Sequence, residues 1–290
     1  NKQRINLTLP YDQLTPLSKY LYDSSFYHTA TQQNEFVYAT FNYKSDTFSI
    51  EAYLCQSLNL EGKKWPVIFY NRGGTGNYGK LTHEIFPYFY ELAKEGFMVV
   101  GTNYRFVDEY GKYDELGGID VEDVIQLVKI VKSWSQIDTT NMFMIGVSRG
   151  GLMTYSTARK LDFNAISVLS GVSNSAKQYE YRPIFLNGWD DLSEDQNYLG
   201  LANVLPDFKG KKQQYLLDRS PTEWADELKS PTLILHSRQD GFVPVSQALL
   251  MAQALAAADA SYQLKIYNKK SHALPSWAFD SIEEITDWFK

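Results

Sequence analysis

Few residues in this chain could do nucleophilic chemistry, and one stretch sets them out. The apolar run from Met142 ends in Gly146-Val-Ser148-Arg-Gly150, with Gly151 behind it and helix-compatible sequence following. A Gly-x-Ser-x-Gly turn between a strand and a helix can lift a serine hydroxyl above a sheet edge. So tight a turn needs residues without a Cβ two places either side of the serine. The helix N-terminus behind it aims backbone N–H groups at the same point. Ser148 is therefore the candidate nucleophile. The competing reading is an ordinary Gly/Ser turn, and the rest of the chain must decide.

A serine hydroxyl needs a base to take its proton, and the chain has four histidines. His28 lies in the N-terminal stretch and His83 starts a helix. His236 sits inside the apolar strand Leu233–His236 and reads as a satisfied core histidine. His272 lies in the loop after the last strand. Asp240, in Ser237-Arg-Gln-Asp-Gly-Phe-Val-Pro244, follows the preceding strand and is the acid that could orient it. Taken alone, Asp240 could be a turn residue before Gly241 and His272 a surface-loop histidine. Together, Ser148, Asp240 and His272 follow the Ser…Asp…His order of α/β-hydrolases. All three fall in loops after strands, at one edge of a parallel sheet.

A second glycine-rich loop, Asn71-Arg-Gly-Gly-Thr-Gly-Asn-Tyr-Gly79, invites three readings. Gly74–Gly79 fits a dinucleotide fingerprint, but the next strand ends in Gly101-Thr-Asn103-Tyr-Arg105, with no acid before Asp108 to hold a ribose. Gly74–Lys80 begins like a P-loop, but Leu81 stands where Mg²⁺ needs Ser or Thr. The third reading is an oxyanion loop, with a backbone N–H from Arg72, Gly73 or Gly74 aimed at a substrate carbonyl oxygen and the Arg149 N–H as second donor. No cofactor and no metal site are expected.

These residues must be carried by elements the pattern can specify. Strands are expected at 35–41, 47–54, 65–70, 97–103, up to 147, 165–170, 231–237 and 262–267. The first two form an antiparallel pair across a short 42–46 connection. Helices are expected at 84–95, 121–134 (capped by Asp120), from the elbow to about 160, at 245–258 and at 281–289. Alternating strands and amphipathic helices mean an α/β fold with a mostly parallel sheet of about eight strands and helices on both faces. Residues 1–34 read as an N-terminal extension on the main domain at 35–290, with a short helix at 14–22. From 171 to about 228 the periodicity is lost in a polar, Tyr-rich insertion, expected to form a cap over the same sheet edge.

Bulk properties bound the rest. The 290-residue chain is 44% hydrophobic and 21% charged, as in a soluble globular protein, and long enough for a large core. A net charge of -6 argues against a nucleic-acid partner. No apolar run is long enough to span a membrane. The single Cys55 excludes an intramolecular disulfide and reads as a buried thiol. The first residue is Asn1, so a cytoplasmic protein and an exported one with its signal removed remain equal readings.

The Gly146–Gly151 stretch, Arg219-Ser-Pro221, Leu228–His236, Arg238–Pro244 and Ser271-His272 resemble the catalytic domain of the prolyl oligopeptidase (S9) family. Gly117–Val124 resembles that family's segment ahead of the nucleophile strand. The resemblance implies the α/β-hydrolase fold and the roles of nucleophile, acid and base for Ser148, Asp240 and His272. Full-length peptidases of the family carry an N-terminal β-propeller, for which residues 1–34 leave no room. Many also use a Tyr hydroxyl in the oxyanion hole, where this chain has Arg72, or Tyr70 if the alignment slips.

The expectation is a serine hydrolase cleaving an ester or amide bond of a small or short-peptide substrate. The alternatives are a carboxylesterase and a non-catalytic binding protein on a hydrolase scaffold. Gly74, Tyr179, Tyr181 and Trp189 are the candidate substrate contacts, although the aromatics could equally form the cap's own core. Arg105 and Arg182 could hold a substrate carboxylate.

Overall fold

The computed structural model describes residues 3–4, 9–32, 34–59, 62–189, 197–272 and 280–290. Among these residues nine strands make one sheet: β1 (Gln3–Arg4), β2 (Phe36–Ser45), β3 (Phe48–Ser57), β4 (Trp65–Asn71), β5 (Met98–Thr102), β6 (Ile137–Val147), β7 (Ala165–Leu169), β8 (Thr232–Ser237) and β9 (Tyr262–Tyr267). Their order is β1-β2-β3-β5-β4-β6-β7-β8-β9. Pairing is antiparallel from β1 to β5 and parallel from there on. The ninth strand, absent from the sequence reading, is the two-residue β1. The expected 42–46 connection is instead strand down to Ser45, which pairs with Phe48 across a two-residue turn at Asp46-Thr47.

The helices are α1 (Pro16–Leu21), α2 (Ser24–Gln32), α3 (Phe86–Lys94), α4 (Val121–Lys132), α5 (Arg149–Ala158), α6 (Ser175–Tyr181), α7 (Ile184–Asn187), α8 (Leu201–Val204), α9 (Phe208–Asp218), α10 (Ser246–Ala257) and α11 (Asp280–Phe289). Strand residues alternate between two cores, as the period of two requires. Val67 and Phe69 join Val124, Val128, Met153, Met251 and Leu255 of α4, α5 and α10 on one face. Ile68 and Tyr70 join Phe86, Phe89, Ile285 and Phe289 of α3 and α11 on the other. Cys55 is buried in this second core, and burial pushes its thiol pKa up.

Asp120 does not cap α4. Its backbone is already helical and its side chain makes no capping bond; the carboxylate is turned towards Arg149 instead. The insertion between β7 and β8 holds α6 to α9 and two 3-10 turns, with 190–196 outside the described residues. These helices are short, and α9 buries only Phe208, so they offer no 3.6-residue stripe to read.

β4 is the switch point: the chain leaves it for β5 on one side and reaches β6 on the other. Ligands of open α/β sheets bind where the strand order reverses in this way, beyond the strand carboxyl ends. The glycine loop follows β4 and the elbow follows β6.

Candidate active site

Ser148 stands alone between β6 and α5 with φ 57° and ψ -122°, a strained backbone for a residue with a Cβ. The glycines around it allow that turn. A Cβ on Gly146 would fall on the Gly150 carbonyl oxygen and Thr154 Oγ1; one on Gly150 would fall on the Asn71 carbonyl. A Cβ on Gly151 would lie 2.6 Å from Gly171 Cα.

His272 Nε2 lies 2.8 Å from Ser148 Oγ. Its Nδ1 lies 3.0 and 2.9 Å from the two carboxylate oxygens of Asp240. Asp240 also accepts the backbone N–H groups of Phe242 and Val243, at 2.8 and 2.9 Å. Burial alone would raise the Asp240 pKa, but His272 and the two N–H donors outweigh it and hold the carboxyl below its ordinary range. An ionised carboxylate can only accept, so Nδ1 carries the imidazole proton and Nε2 faces Ser148 with its lone pair.

His236 supports the acid's loop. It is wholly buried, and its Nε2–H donates to the Val243 carbonyl at 2.9 Å. Burial lowers its pKa and keeps it neutral. From α6, Gln178 donates to the Phe242 carbonyl at 2.9 Å and the Tyr181 hydroxyl to the Gly241 carbonyl at 3.2 Å.

In the glycine loop, Gly73 is the residue against the elbow: a Cβ there would come 3.1 Å from Ser148 Cβ. Gly74, with φ 77°, turns the other way, and its Cβ would strike the Tyr78 carbonyl. The turn there requires a glycine. The Arg72 side chain is 1% exposed and points inward. It donates to the carbonyls of Gly73 (3.0 Å), Gly76 (2.9 Å) and Asn103 (3.0 and 3.2 Å). Burial lowers its pKa to about 10, with Arg149 adding to the effect. A phosphate-binding loop turns its N–H groups inward; this loop turns carbonyls inward onto a cation. Tyr70, on the strand leading into the loop, packs its ring on Tyr88 and Phe89.

The Arg149 side chain plays a part that sequence reasoning missed. Its guanidinium is bidentate to Asp114, at 2.6 and 2.7 Å, and bonds Asp120 and the Gly74 carbonyl. Asp114 in turn accepts the N–H groups of Gly76 and Leu116. Tyr104 lies between the two cations, with the Arg72 and Arg149 guanidinium carbons 5.0 and 4.9 Å from its ring centroid. Its hydroxyl donates to the Arg72 carbonyl. The glycine loop thus rests on a buried floor of Arg72, Tyr104, Arg149, Asp114 and Asp120. Asp114 and Asp120, with Arg149 inside the elbow, were a signal of opposite charges awaiting a partner.

The cap aromatics divide. Tyr179 is 5% exposed and joins Tyr198, Leu201, Leu205 and Phe208, with Trp189 packed against them. Tyr179 thus belongs to the insertion's own core, with Trp189 partly buried against it. Tyr181 is 51% exposed beside the Asp240 loop. The Arg105 side chain is buried and bonds Asp123 through Nε and Nη2 and Asp46 through Nη2. Among the described residues no helix is long and apolar enough to cross a membrane.

Sheet order, elbow and the Ser148–His272–Asp240 contact define an α/β-hydrolase. Within that class the chain belongs to the prolyl oligopeptidase family (Peptidase_S9), which matches residues 81–290. It is 28% identical over 282 residues to the uncharacterized peptidase YuxL of Bacillus subtilis, covering 90% of this chain and 39% of that one. The acylamino-acid-releasing enzyme of Mus musculus is 28% identical over 243 residues, covering 77% and 31%. The solved acylaminoacyl peptidase of Pyrococcus horikoshii matches with a TM-score of 0.71 at 21% identity, covering 96% of this chain and 44% of that one. The chain spans less than half the length of each of these proteins.

Proposed function

We propose that the chain is a serine peptidase that cleaves a short peptide through an acyl-enzyme on Ser148. The observation that carries this is the contact of His272 with both Ser148 and Asp240. Ser148 Oγ attacks the scissile carbonyl carbon as its proton passes to His272 Nε2. The resulting imidazolium is stabilised by Asp240. The tetrahedral oxyanion sits between the backbone N–H groups of Gly73 and Arg149; the first turn of α5 leaves the latter without an intrahelical acceptor. Collapse breaks the C–N bond, and His272 returns the proton to the leaving amine. Water, deprotonated by His272 in turn, then releases the acid and restores the serine.

A peptide bond is favoured over an ester because the relatives that match the chain are named as peptidases or acylamino-acid-releasing enzymes. Fluorophosphonate should label Ser148, and Ser148→Ala should lose both the label and nearly all p-nitrophenyl acetate turnover. Normal turnover by Ser148→Ala would sink the nucleophile assignment. Aminoacyl-naphthylamides assayed beside acyl esters test the peptidase half: activity on esters alone would reject it.

A further inference from the structure

Five arginines with described side chains lie below the surface, and four have oxygen partners. Arg72 holds carbonyls, Arg105 holds Asp123 and Asp46, Arg149 holds Asp114 and Asp120, and Arg219 holds Glu115 and two carbonyls. Arg182, at the end of α6, is half-buried, and its guanidinium has no oxygen partner among the described residues. Its carbon lies 4.7 Å from the ring centroid of Phe242 and 5.2 Å from that of Phe185. The rings order the side chain, yet neither satisfies its N–H donors. A guanidinium held on two rings with open N–H donors can take whatever acceptor a bound molecule supplies.

Its position says which acceptor. The Phe242 ring is 48% exposed and lies 5.1 Å, centroid to centroid, from the His272 imidazole. Arg182 is therefore one aromatic ring away from the base, a separation of about two to three residues of extended peptide. α6 is tied to the same loop by Gln178 and Tyr181, so Arg182 and the acid's loop are held as one unit. A guanidinium presents its donors as a planar fork that fits a carboxylate.

We propose that Arg182 is a specificity-determining residue that binds a substrate carboxylate two to three residues from the scissile bond. This deepens the peptidase reading and rests on it. The carboxylate could be an acidic side chain or the free C-terminus of a short peptide, and the two sources are separable. Phe242 would pack on the chain between the carboxylate and the bond that breaks.

The test uses short peptides in matched pairs, Glu against Gln at each position near the cleaved bond, each with a free or amidated C-terminus. Two readouts are taken on each peptide: its cleavage, and its protection of Ser148 from fluorophosphonate. Protection reports binding whether or not the peptide is cut, so absent cleavage rejects the peptidase reading without touching the Arg182 result. The expected result is about tenfold better protection by the carboxylate-bearing member of one pair, as for a charge-assisted contact. Arg182→Gln should bring that ratio close to one, and Arg182→Glu should favour a Lys-bearing peptide instead. The ratio is internal to each protein, so a general loss of activity cancels. A wild-type ratio within twofold of one for every pair would overturn the proposal, as would a preference that survives in Arg182→Gln or a failure of both members of every pair to protect.

Discussion

Arg149→Met isolates the floor beneath the glycine loop, because it removes the guanidinium and keeps the backbone N–H. The side chains of Asp114 and Asp120 are fully buried. Burial already pushes the Asp114 pKa up, and Arg149 is the largest influence drawing it back. Without the cation, two carboxylates remain in a site that cannot solvate them. Breaking a buried pair from one side costs about 3–5 kcal/mol. For a chain of this length that lowers the melting temperature by about 5–8 °C. The loop would also lose the bond from Arg149 to the Gly74 carbonyl, so ester turnover should fall about tenfold, less than the 10²–10³ for losing an oxyanion donor outright. Urea and thermal unfolding give the first quantity, and p-nitrophenyl acetate hydrolysis the second. Adding Asp114→Asn and Asp120→Asn to Arg149→Met should recover at least half of the lost stability, because the uncompensated charges go with them. Destabilisation below about 1 kcal/mol, or a triple variant no more stable than the single one, would refute this account of the floor.

Asp240→Asn leaves His272 with an acceptor but no charge, and kcat should fall by up to about 10⁴. The Asp240 pKa is depressed in the folded state, so its stabilisation is present above the ordinary carboxylate pKa and lost as pH falls through the depressed value. The stability gap between wild type and Asp240→Asn should therefore close in acid; a gap independent of pH would contradict the assignment. Gly146→Ala places a methyl on the Gly150 carbonyl and Thr154. It should destabilise by about 1–3 kcal/mol and slow fluorophosphonate labelling of Ser148, whereas labelling at the wild-type rate would mean the elbow tolerates a Cβ.

Most of the sheet was legible because its signals are local. Trp65–Tyr70 and Phe97–Asn103 are continuous apolar runs, and β2 and β3 alternate. The order of Ser148, Asp240 and His272 could be read because each follows such a strand. What escaped has no local period. Asp120 has the residue type and position of an N-cap, but a buried arginine some thirty residues away competes for it and wins. Arg105 and Arg182 look alike in sequence; only packing shows one spent on Asp123 and the other facing two rings. α2 (SSFYHTATQ) is built from weak helix formers and stands through contacts with its neighbours. Tyr179, Tyr181 and Trp189 form one aromatic group on paper, and burial divides them.

The order of strands in space and along the chain has a consequence in time. Ser148 and Gly73 are placed by β6 and β4 in the middle of the sheet, whereas His272 follows β9, the outermost described strand on its side, which is synthesised after both. On the proposed chemistry, a growing polypeptide would carry a formed elbow for some 120 residues before any base could reach it. A ribosome-bound chain would be inert towards itself and its neighbours until β9 docks on β8. Hydrolytic competence would then appear in one step, late in folding.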